Sequence, residues 1–401
     1  MKKICYISII IVLPIFLTGC WNNEEIDKNA LVHGVGFDFN EETQLVNYFV
    51  EIVKPTQGPG NEQEGGASQN VVLELESDTP LNAARELIRY AKRRLYFGHT
   101  RLWLVTEELA ELPFIPLFDV IRREQMTRLN SYVFITPDPI RDIFETPTLY
   151  ENLSSDEIVS ALDQSNVIAE FIPVKLYELI KMNERPIKSA HVPIITISED
   201  ESETTSIKGT AIIKDQMMVG KLGINETIGL RMLLNNISGG IITSEIPGPE
   251  SREFISLEFK TGESSIKPTL TGKDLKVEVN ISVSGDLGDN IMVESRELDA
   301  EFLKEIEQLI ANRITEITYT TLNKLQKELK TDVTDIGVET YRNFPNEWKE
   351  IQDIYHEEVF ANAQIEVNTE VNIFHQGLTN KSHNVPQKRP YNNPYRFLDK
   401  D

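Results

Sequence analysis

The sequence predicts an α+β protein of several domains, three in our interpretation, with antiparallel or mixed sheets and packed helices. Strand-like runs rich in Val, Ile and Phe alternate with helical patterns along the whole chain. Short polar turns join many of these runs, which is typical of hairpins and meanders. The chain has 401 residues, and at roughly 150 residues per domain this length allows two or three ordinary cores.

The chain begins with two predicted strands and a loop. Residues 30–39 and 44–54 predict strands joined by the polar turn "NEET". Residues 55–70 carry four glycines and two prolines, so we predict a flexible loop there. The strand "NVVLELES" follows. A helix then starts at Thr79 and Pro80, because Thr is a good N-cap and Pro suits the first helical position.

The remainder of the first half predicts further strands and helices. Residues 95–110 predict a strand that runs into a short helix, and "SYVFITPDP" and "HVPIITISE" predict buried strands. Helical patterns cover 113–128 and about 153–183. The acidic, Ser/Thr-rich stretch 199–206 is the best domain boundary, with a plain solvated turn as the alternative.

The second half contains the longest helical pattern of the chain. Before it, two strands flank the turn at 214–216, a helix opens near Asn225, and strands follow at about 251–261 and 275–285. The pattern at 298–330 indicates a helix that lies across a sheet, and a coiled-coil seam is the less favoured alternative. Its apolar residues recur at three-to-four spacing: Phe302, Ile306, Leu309, Ile310, Ile314, Ile317, Leu322, Leu325 and Leu329.

These elements lead to a division of the chain. We predict an N-terminal α+β domain at 20–198, a middle α+β domain at 207–250 and a C-terminal α+β domain with the long helix at 251–378. The last domain ends with the helix "NEWKEIQDIYHEEVF" and the strand "AQIEVNTEVNIF". The polar, Pro/Asn-rich tail at 379–401 is predicted to be disordered.

The first residues resemble a lipoprotein signal peptide. Lys2 and Lys3 precede a short apolar run at 4–17, which is shorter than the roughly 20 residues that a bilayer span needs. The sequence Leu-Thr-Gly-Cys then resembles a bacterial lipobox. We therefore predict cleavage after residues 1–19 and attachment of diacylglyceryl and N-acyl chains, such as palmitate, to Cys20. An uncleaved N-terminal anchor is the alternative.

Composition and motifs argue against several classes of function. The formal net charge of −23 and the pI of about 4.8 argue against nucleic-acid binding, which needs clustered Lys and Arg. The six histidines lack metal-ligand spacing, and "HEEVF" has no second histidine four residues on. Neither a nucleophile elbow nor a phosphate-binding loop is present. We therefore predict no catalytic residue, no metal site and no cofactor.

Five stretches together match the pattern of one known family. These stretches are "CWNNEEIDKNALVHGVGFD", "FGHTRLWLVTEELA", Arg122-Arg123, "GTAIIKDQMMVGKLGINETIGL" and "YRNFPNEWKEI". The chain thus resembles the Ger(x)C spore germination lipoproteins. The resemblance covers nearly all of residues 1–378. Gly98 and His99 fall on a family motif, although a glycine turn with a satisfied histidine is the simpler interpretation.

The resemblance implies a function. It implies a three-domain α+β lipoprotein on the cell membrane, at the outer face of the spore inner membrane. The lack of catalytic motifs adds the prediction that the protein is not an enzyme. Its implied partners are the A-type and B-type polytopic membrane subunits of a nutrient germinant receptor. We predict that it acts on them by assembly or coupling, because the chain has a predicted lipid anchor and no recognisable active site. Two alternatives stay open: an extracytoplasmic solute-binding lipoprotein and a membrane-tethered hydrolase.

Overall fold

A computed structural model describes residues 28–54, 70–123, 128–198, 204–246, 253–292, 298–375 and 383–384. The predicted signal peptide, Cys20, the loop after Lys54 and all but two residues of the predicted tail lie outside the described residues. The described chain forms two mixed sheets with helices packed against them. The predicted α+β class is therefore confirmed.

The first half of the chain builds a sheet of nine strands. Their order is β3-β2-β1-β5-β6-β7-β8-β9, and β4 pairs with β1. The inner pairs from β1 to β7 are parallel and the outer pairs are antiparallel, so parallel pairing is more extensive than the hairpin pattern indicated. The strands are β1 Asn29–Asn40, β2 Leu45–Val53, β3 Asn70–Ser77, β4 Arg94–Tyr96, β5 Leu102–Thr106, β6 Tyr132–Thr136, β7 Ser189–Ile197, β8 Thr205–Lys214 and β9 Met217–Leu222.

Short helices cover both faces of this sheet. Side chains alternate across β5, so that Trp103 and Val105 join one apolar core while Leu102 and Leu104 join another on the opposite face. The helices are α1 Pro80–Glu86, α2 Ile88–Ala91, α3 Glu107–Ala110, α4 Asp119–Arg123, α5 Ile140–Glu145, α6 Ser154–Leu162, α7 Ser165–Ile168 and α8 Leu176–Asn183.

One predicted helix start is confirmed, and one long helical pattern is divided in the structure. The predicted start at Thr79 is confirmed, because its Oγ1 accepts the N–H of Asn82 and Pro80 opens the helix. The helical pattern at 153–183 is divided among three helices. Ala169 ends α7 with a left-handed φ of 60°, and residues 170–175 lie outside any helix.

The second half forms a sheet crossed by the long helix. Its strands are β10 Ile241–Ile246, β11 Glu253–Thr271, β12 Asp274–Met292, β13 Gln364–His375 and β14 His383–Asn384. The order is β10-β11-β12-β13, β14 pairs with β12, and the β12–β13 pair is parallel. The helices are α9 Ile224–Leu233, α10 Ala300–Asn323, α11 Ile336–Asn343 and α12 Pro345–Ile351.

Helix α10 confirms the predicted long helix. Asp299 caps it, since its side chain accepts the N–H groups of Glu301 and Phe302. Its buried face includes Ile306 and Ile314, and it packs against β13 and α9. A π-helical turn continues it to Glu328.

The predicted boundary at 199–206 joins two strands of one sheet. β7 precedes it and β8 begins inside it, and the two strands pair antiparallel. The division of the chain into three domains stays a prediction.

Candidate functional site

Cys20, the site residue predicted from the sequence, lies outside the described residues. The structure places the start of the folded chain close behind it, because β1 begins at Asn29. Nine peptide steps separate the two residues, which a fully extended chain spans in at most about 30 Å. The folded domain is therefore close to any lipid held by Cys20.

A buried polar cluster surrounds Glu51 on β2. Glu51 is fully buried, and its carboxylate accepts the backbone N–H groups of Ser154 and Ser155 at 3.2 Å each. It also accepts Nδ2 of Asn70 at 2.8 Å and the hydroxyl of Ser155. Strand β2 thus caps the first turn of α6, where unpaired N–H groups and the helix dipole favour a negative charge.

Glycine 34 on β1 makes room for this cluster. A Cβ at Gly34 would lie 2.5 Å from Cε1 of Phe144 and 3.3 Å from Oε2 of Glu51. Because real Cβ contacts of 2.5 Å do not occur, a larger residue would push the ring of Phe144 away. The "GVG" motif therefore serves close packing on the side of α5 and α6.

Burial raises the pKa of Glu51. The hydrogen bonds from Ser155, Asn70 and Ser154 act in the opposite direction but do not outweigh the loss of hydration. Glu51 is therefore held in place by partners that only partly offset its burial.

A second carboxylate on α6 lies nearer to solvent. Oδ1 of Asp156 pairs with Nη1 of Arg101 at 2.8 Å, and Oδ2 lies 3.3 Å from Nδ1 of His33. Burial alone would raise the pKa of Asp156, but the hydrogen bonds and charges of His33 and Arg101 outweigh it and lower the pKa. These contacts fasten α6 to β1 and to the start of β5.

The motif residues Gly98 and His99 lie beside this pair. They form a 3-10 turn with Phe97, and the exposed His99 ring stacks on His33 with 6.0 Å between ring centres. A Cβ at Gly98 would lie 2.7 Å from the ring of Tyr96. Glycine is therefore required by close packing, and His99 extends the His33–Asp156 contact to the surface.

The chemistry available to this cluster is limited. The hydroxyl of Ser155 is bound to Glu51, and the hydroxyl of Ser154 donates to the carbonyl oxygens of Phe144 and Thr146. Neither hydroxyl contacts His33, so the cluster does not assemble a serine nucleophile with a histidine base. Within the described part of the chain, no three His, Cys, Asp or Glu residues are placed to hold a metal ion.

A buried aspartate, Asp332, lies before α11 and organises the residues around it. Oδ1 of Asp332 accepts the N–H and the hydroxyl of Thr334, and Oδ2 accepts Tyr355 and the N–H of Gly337. Burial first, and then the charge of Asp332, raises the pKa of Tyr355.

The neighbourhood of Asp332 reaches the start of β7. The hydroxyl of Ser189 donates to the Asp332 carbonyl, and Arg185 pairs with Asp335. Nε2 of His356 lies 2.6 Å from the Ile187 carbonyl oxygen. Sequence analysis did not identify this joint. The available signal was the Thr/Asp repetition in "TDVTDIG", which is typical of local side-chain to backbone hydrogen bonds.

Two family models match the chain in succession. The model for the spore germination protein N-terminal domain matches residues 22–197. The model described as spore germination B3/GerAC like, C-terminal, matches residues 208–377. The chain belongs to the Ger(x)C family of spore germination proteins.

Relatives and a solved structure agree with this membership. Spore germination protein KC of Bacillus subtilis is 22% identical, with 95% of this chain and 98% of the relative covered. Spore germination protein A3 of Bacillus subtilis is 24% identical, with 90% and 94% covered. The crystal structure of the GerBC protein matches with a TM-score of 0.57 and 16% identity over 85% of this chain and 97% of that chain, which shows a shared fold.

The Ger(x)C assignment fixes the class of function. The chain is a C subunit of the germinant receptor family and not an enzyme. No described helix of this Ger(x)C protein is long and apolar enough to cross a membrane.

Proposed function

We propose that this Ger(x)C protein is a lipid-anchored subunit of a spore nutrient germinant receptor that acts by assembly or coupling. Diacylglyceryl and N-acyl chains on Cys20 hold it on the outer face of the spore inner membrane. Its partners are the A-type and B-type polytopic membrane subunits, and it has no chemical step of its own. The lipobox directly before the start of the family match at residue 22 carries this proposal.

The short distance between anchor and fold supports coupling at the membrane. With β1 starting nine residues after Cys20, the start of the described fold at Asn29 stays within about 30 Å of the lipid. Such a tether converts a bimolecular encounter into one at an effective concentration that can reach about the mM range. Weak contacts with membrane partners are then mostly occupied.

The anchor is tested by replacing its attachment atom. Cys20→Ala removes the sulfur that takes the diacylglyceryl group, so the precursor should remain unprocessed and should lose all label from a metabolically incorporated fatty acid. Cys5→Ala is the matched control, because Cys5 lies inside the predicted signal peptide. Cys5→Ala should retain the label. Label retained by Cys20→Ala would overturn the proposed anchor.

A further inference from the structure

An apolar cavity lies between the α1–α2 pair and the first sheet. Its volume is about 340 Å³, at the low end of the range found for small-molecule sites. Its floor consists of buried apolar side chains, among them Phe37, Val50, Leu87 and Trp103. The exposed side chains of Leu81, Arg85, Ile88 and Arg94 line it as well and form its mouth.

The mouth is basic on a strongly acidic protein. Residues 85–94 contain five Arg or Lys residues and one Glu, while the whole chain carries a net charge of −23. Arg85 lines the cavity and makes no ion pair with any described residue. Exposed apolar side chains, Ile88 and Tyr90, lie among these cations. Cations mixed with exposed apolar groups are typical of surfaces that meet anionic lipid.

One polar group inside the cavity lacks a partner. Tyr48 lines the cavity and is 3% exposed, and its hydroxyl makes no hydrogen bond within the described part of the chain. Burial, and then the charge of Asp78, raises the pKa of Tyr48, so the hydroxyl stays protonated and can donate. A buried unpaired hydroxyl is costly, so a ligand oxygen beside it would be stabilised.

The cavity mouth lies next to the point where the chain enters the fold. β1 and β4 pair in parallel, which sets Asn29 opposite Arg94. The residues before β1 lead back to Cys20, whose lipidation rests on the proposed function above. This tether is therefore short enough to keep Arg94, at the cavity mouth, near the bilayer surface.

We propose that this cavity binds one acyl chain of an anionic phospholipid from the surrounding bilayer. The acyl chain fills the apolar floor, the phosphate pairs with Arg85, and an ester oxygen accepts a hydrogen bond from the Tyr48 hydroxyl. No Asp or Glu lines the cavity, so a zwitterionic amino acid would leave its ammonium group without a partner. The site thus selects an apolar anion.

Quenching of Trp103 fluorescence tests this proposal. The full lipidated chain is reconstituted into phosphatidylcholine vesicles that contain increasing fractions of dibromostearoyl phosphatidylglycerol. Trp21 is replaced by Phe, because it lies beside the anchor and would be quenched by any brominated lipid. Comparison with the additional Trp103→Phe variant separates Trp103 from Trp348. We expect saturable quenching of Trp103, and weaker quenching with dibromostearoyl phosphatidylcholine.

Matched variants separate the cavity from the surface around it. Ala84→Leu fills the cavity and should abolish the quenching, whereas Asn82→Leu adds the same side chain to α1 outside it. Arg85→Glu should raise the half-saturating phosphatidylglycerol fraction by about tenfold or more, since it reverses a charge at the headgroup. Arg89→Glu makes the same charge change outside the lining and should have an effect of less than about threefold.

Four results would overturn the proposal. The first is that Trp103 is not quenched in protein that floats with the vesicles, and the second is that Arg85→Glu and Arg89→Glu have equal effects. The third is equal quenching by both brominated phospholipids, and the fourth is that only free dibromostearate quenches Trp103. The mass of the purified protein shows whether Cys20 carries its acyl chains, which separates this test from the test of the proposed anchor. Arg85 is exposed, so Arg85→Glu keeps the test decisive even if Ala84→Leu fails to fold.

Discussion

Glu51 is a charged residue whose full burial its sequence position does not indicate. Strand alternation predicts that Val50 and Glu51 face opposite sides of β2, but both are buried because helices cover both faces of the sheet. The partners of Glu51 include Asn70 and, more than a hundred residues away in the chain, Ser154 and Ser155. Local sequence patterns carry no information about such distant partners.

Replacing Glu51 by Gln should change how stability depends on pH. The folded-state pKa of Glu51 is raised above its ordinary value of 4.5. The fold therefore favours the protonated form, and the stability contributed by this group is lost as pH rises from about 4.5 through the raised pKa. Glu51→Gln cannot ionise, so its free energy of unfolding should fall less over this window. Urea titrations at several pH values measure the free energy of unfolding of the lipid-free form that begins at Trp21.

The comparison depends on the slope with pH and not on the absolute stability. Glu51→Gln turns one acceptor into a donor beside the N–H of Ser155, which adds a cost that does not vary with pH. Asp156 has a lowered pKa and acts with the opposite sign, but it is present in both proteins and cancels in the difference. Glu42→Gln in the exposed turn measures the effect of removing a surface carboxylate. Parallel pH profiles for wild type and Glu51→Gln would show that the interpretation of Glu51 is wrong.

At the scale of elements, strong local signals predicted structure well. The hairpin after β1, the cap at Thr79, the turn at 214–216 and helix α10 all follow from periodicity and turn chemistry. In that turn, Asp215 and Gln216 both adopt positive φ, as a tight hairpin requires. The parallel pairing of β1, β5 and β6 could not be predicted, because buried strands of either kind give continuous apolar runs.

The contact between α9 and α10 requires a glycine. A Cβ at Gly229 would lie 2.1 Å from Oγ1 of Thr321 and 3.0 Å from the carbonyl oxygen of Ile317. The added methyl group should therefore cost about 1–3 kcal/mol, the usual cost of overpacking. Ala gains about 1 kcal/mol over Gly inside a helix, so the free energy of unfolding of Gly229→Ala should fall by up to about 2 kcal/mol. Urea denaturation gives the difference.

A double variant identifies the clash as the cause. Thr321→Ala removes the hydroxyl that lies nearest to the added methyl group. The variant with both changes should be less destabilised than the sum of the two single variants, with a coupling of about 0.5–3 kcal/mol. Strict additivity would show that the Thr321 hydroxyl is not the source of the lost stability.

At the scale of the whole molecule, the class and family were predictable but the joint between the halves was not. The acidic stretch at 199–206 coincides with the gap between the two family models, yet β7 and β8 pair across it. Asp332 then connects the second half to Ser189 at the start of β7. Asp335 and His356 connect it to Arg185 and Ile187, which precede β7. This continuity arises from contacts between distant segments, and composition shifts do not report such contacts.

At the scale of the whole molecule, the proposed function implies that another membrane anchor can replace the lipid. If the lipid only raises local concentration, spores with Cys20→Ala should respond poorly to nutrient. Without the tether, which supplies an effective concentration of about the mM range, the protein is mostly dissociated from its membrane partners. An unrelated single-span anchor fused just before Trp21 should then restore much of the response. Germination is followed by the loss of optical density after nutrient addition, with the abundance of each variant in the inner membrane measured in parallel.

The control separates tethering from the acyl chains themselves. The same single-span anchor followed by a long flexible linker lowers the effective concentration without changing the folded surfaces, so the response should fall as the linker lengthens beyond the native nine steps. If no protein anchor restored the germination response, the acyl chains themselves would have a direct role. Full germination with an unanchored protein, made at normal abundance outside the inner membrane, would contradict tethering, because the folded surfaces alone would then be sufficient for coupling.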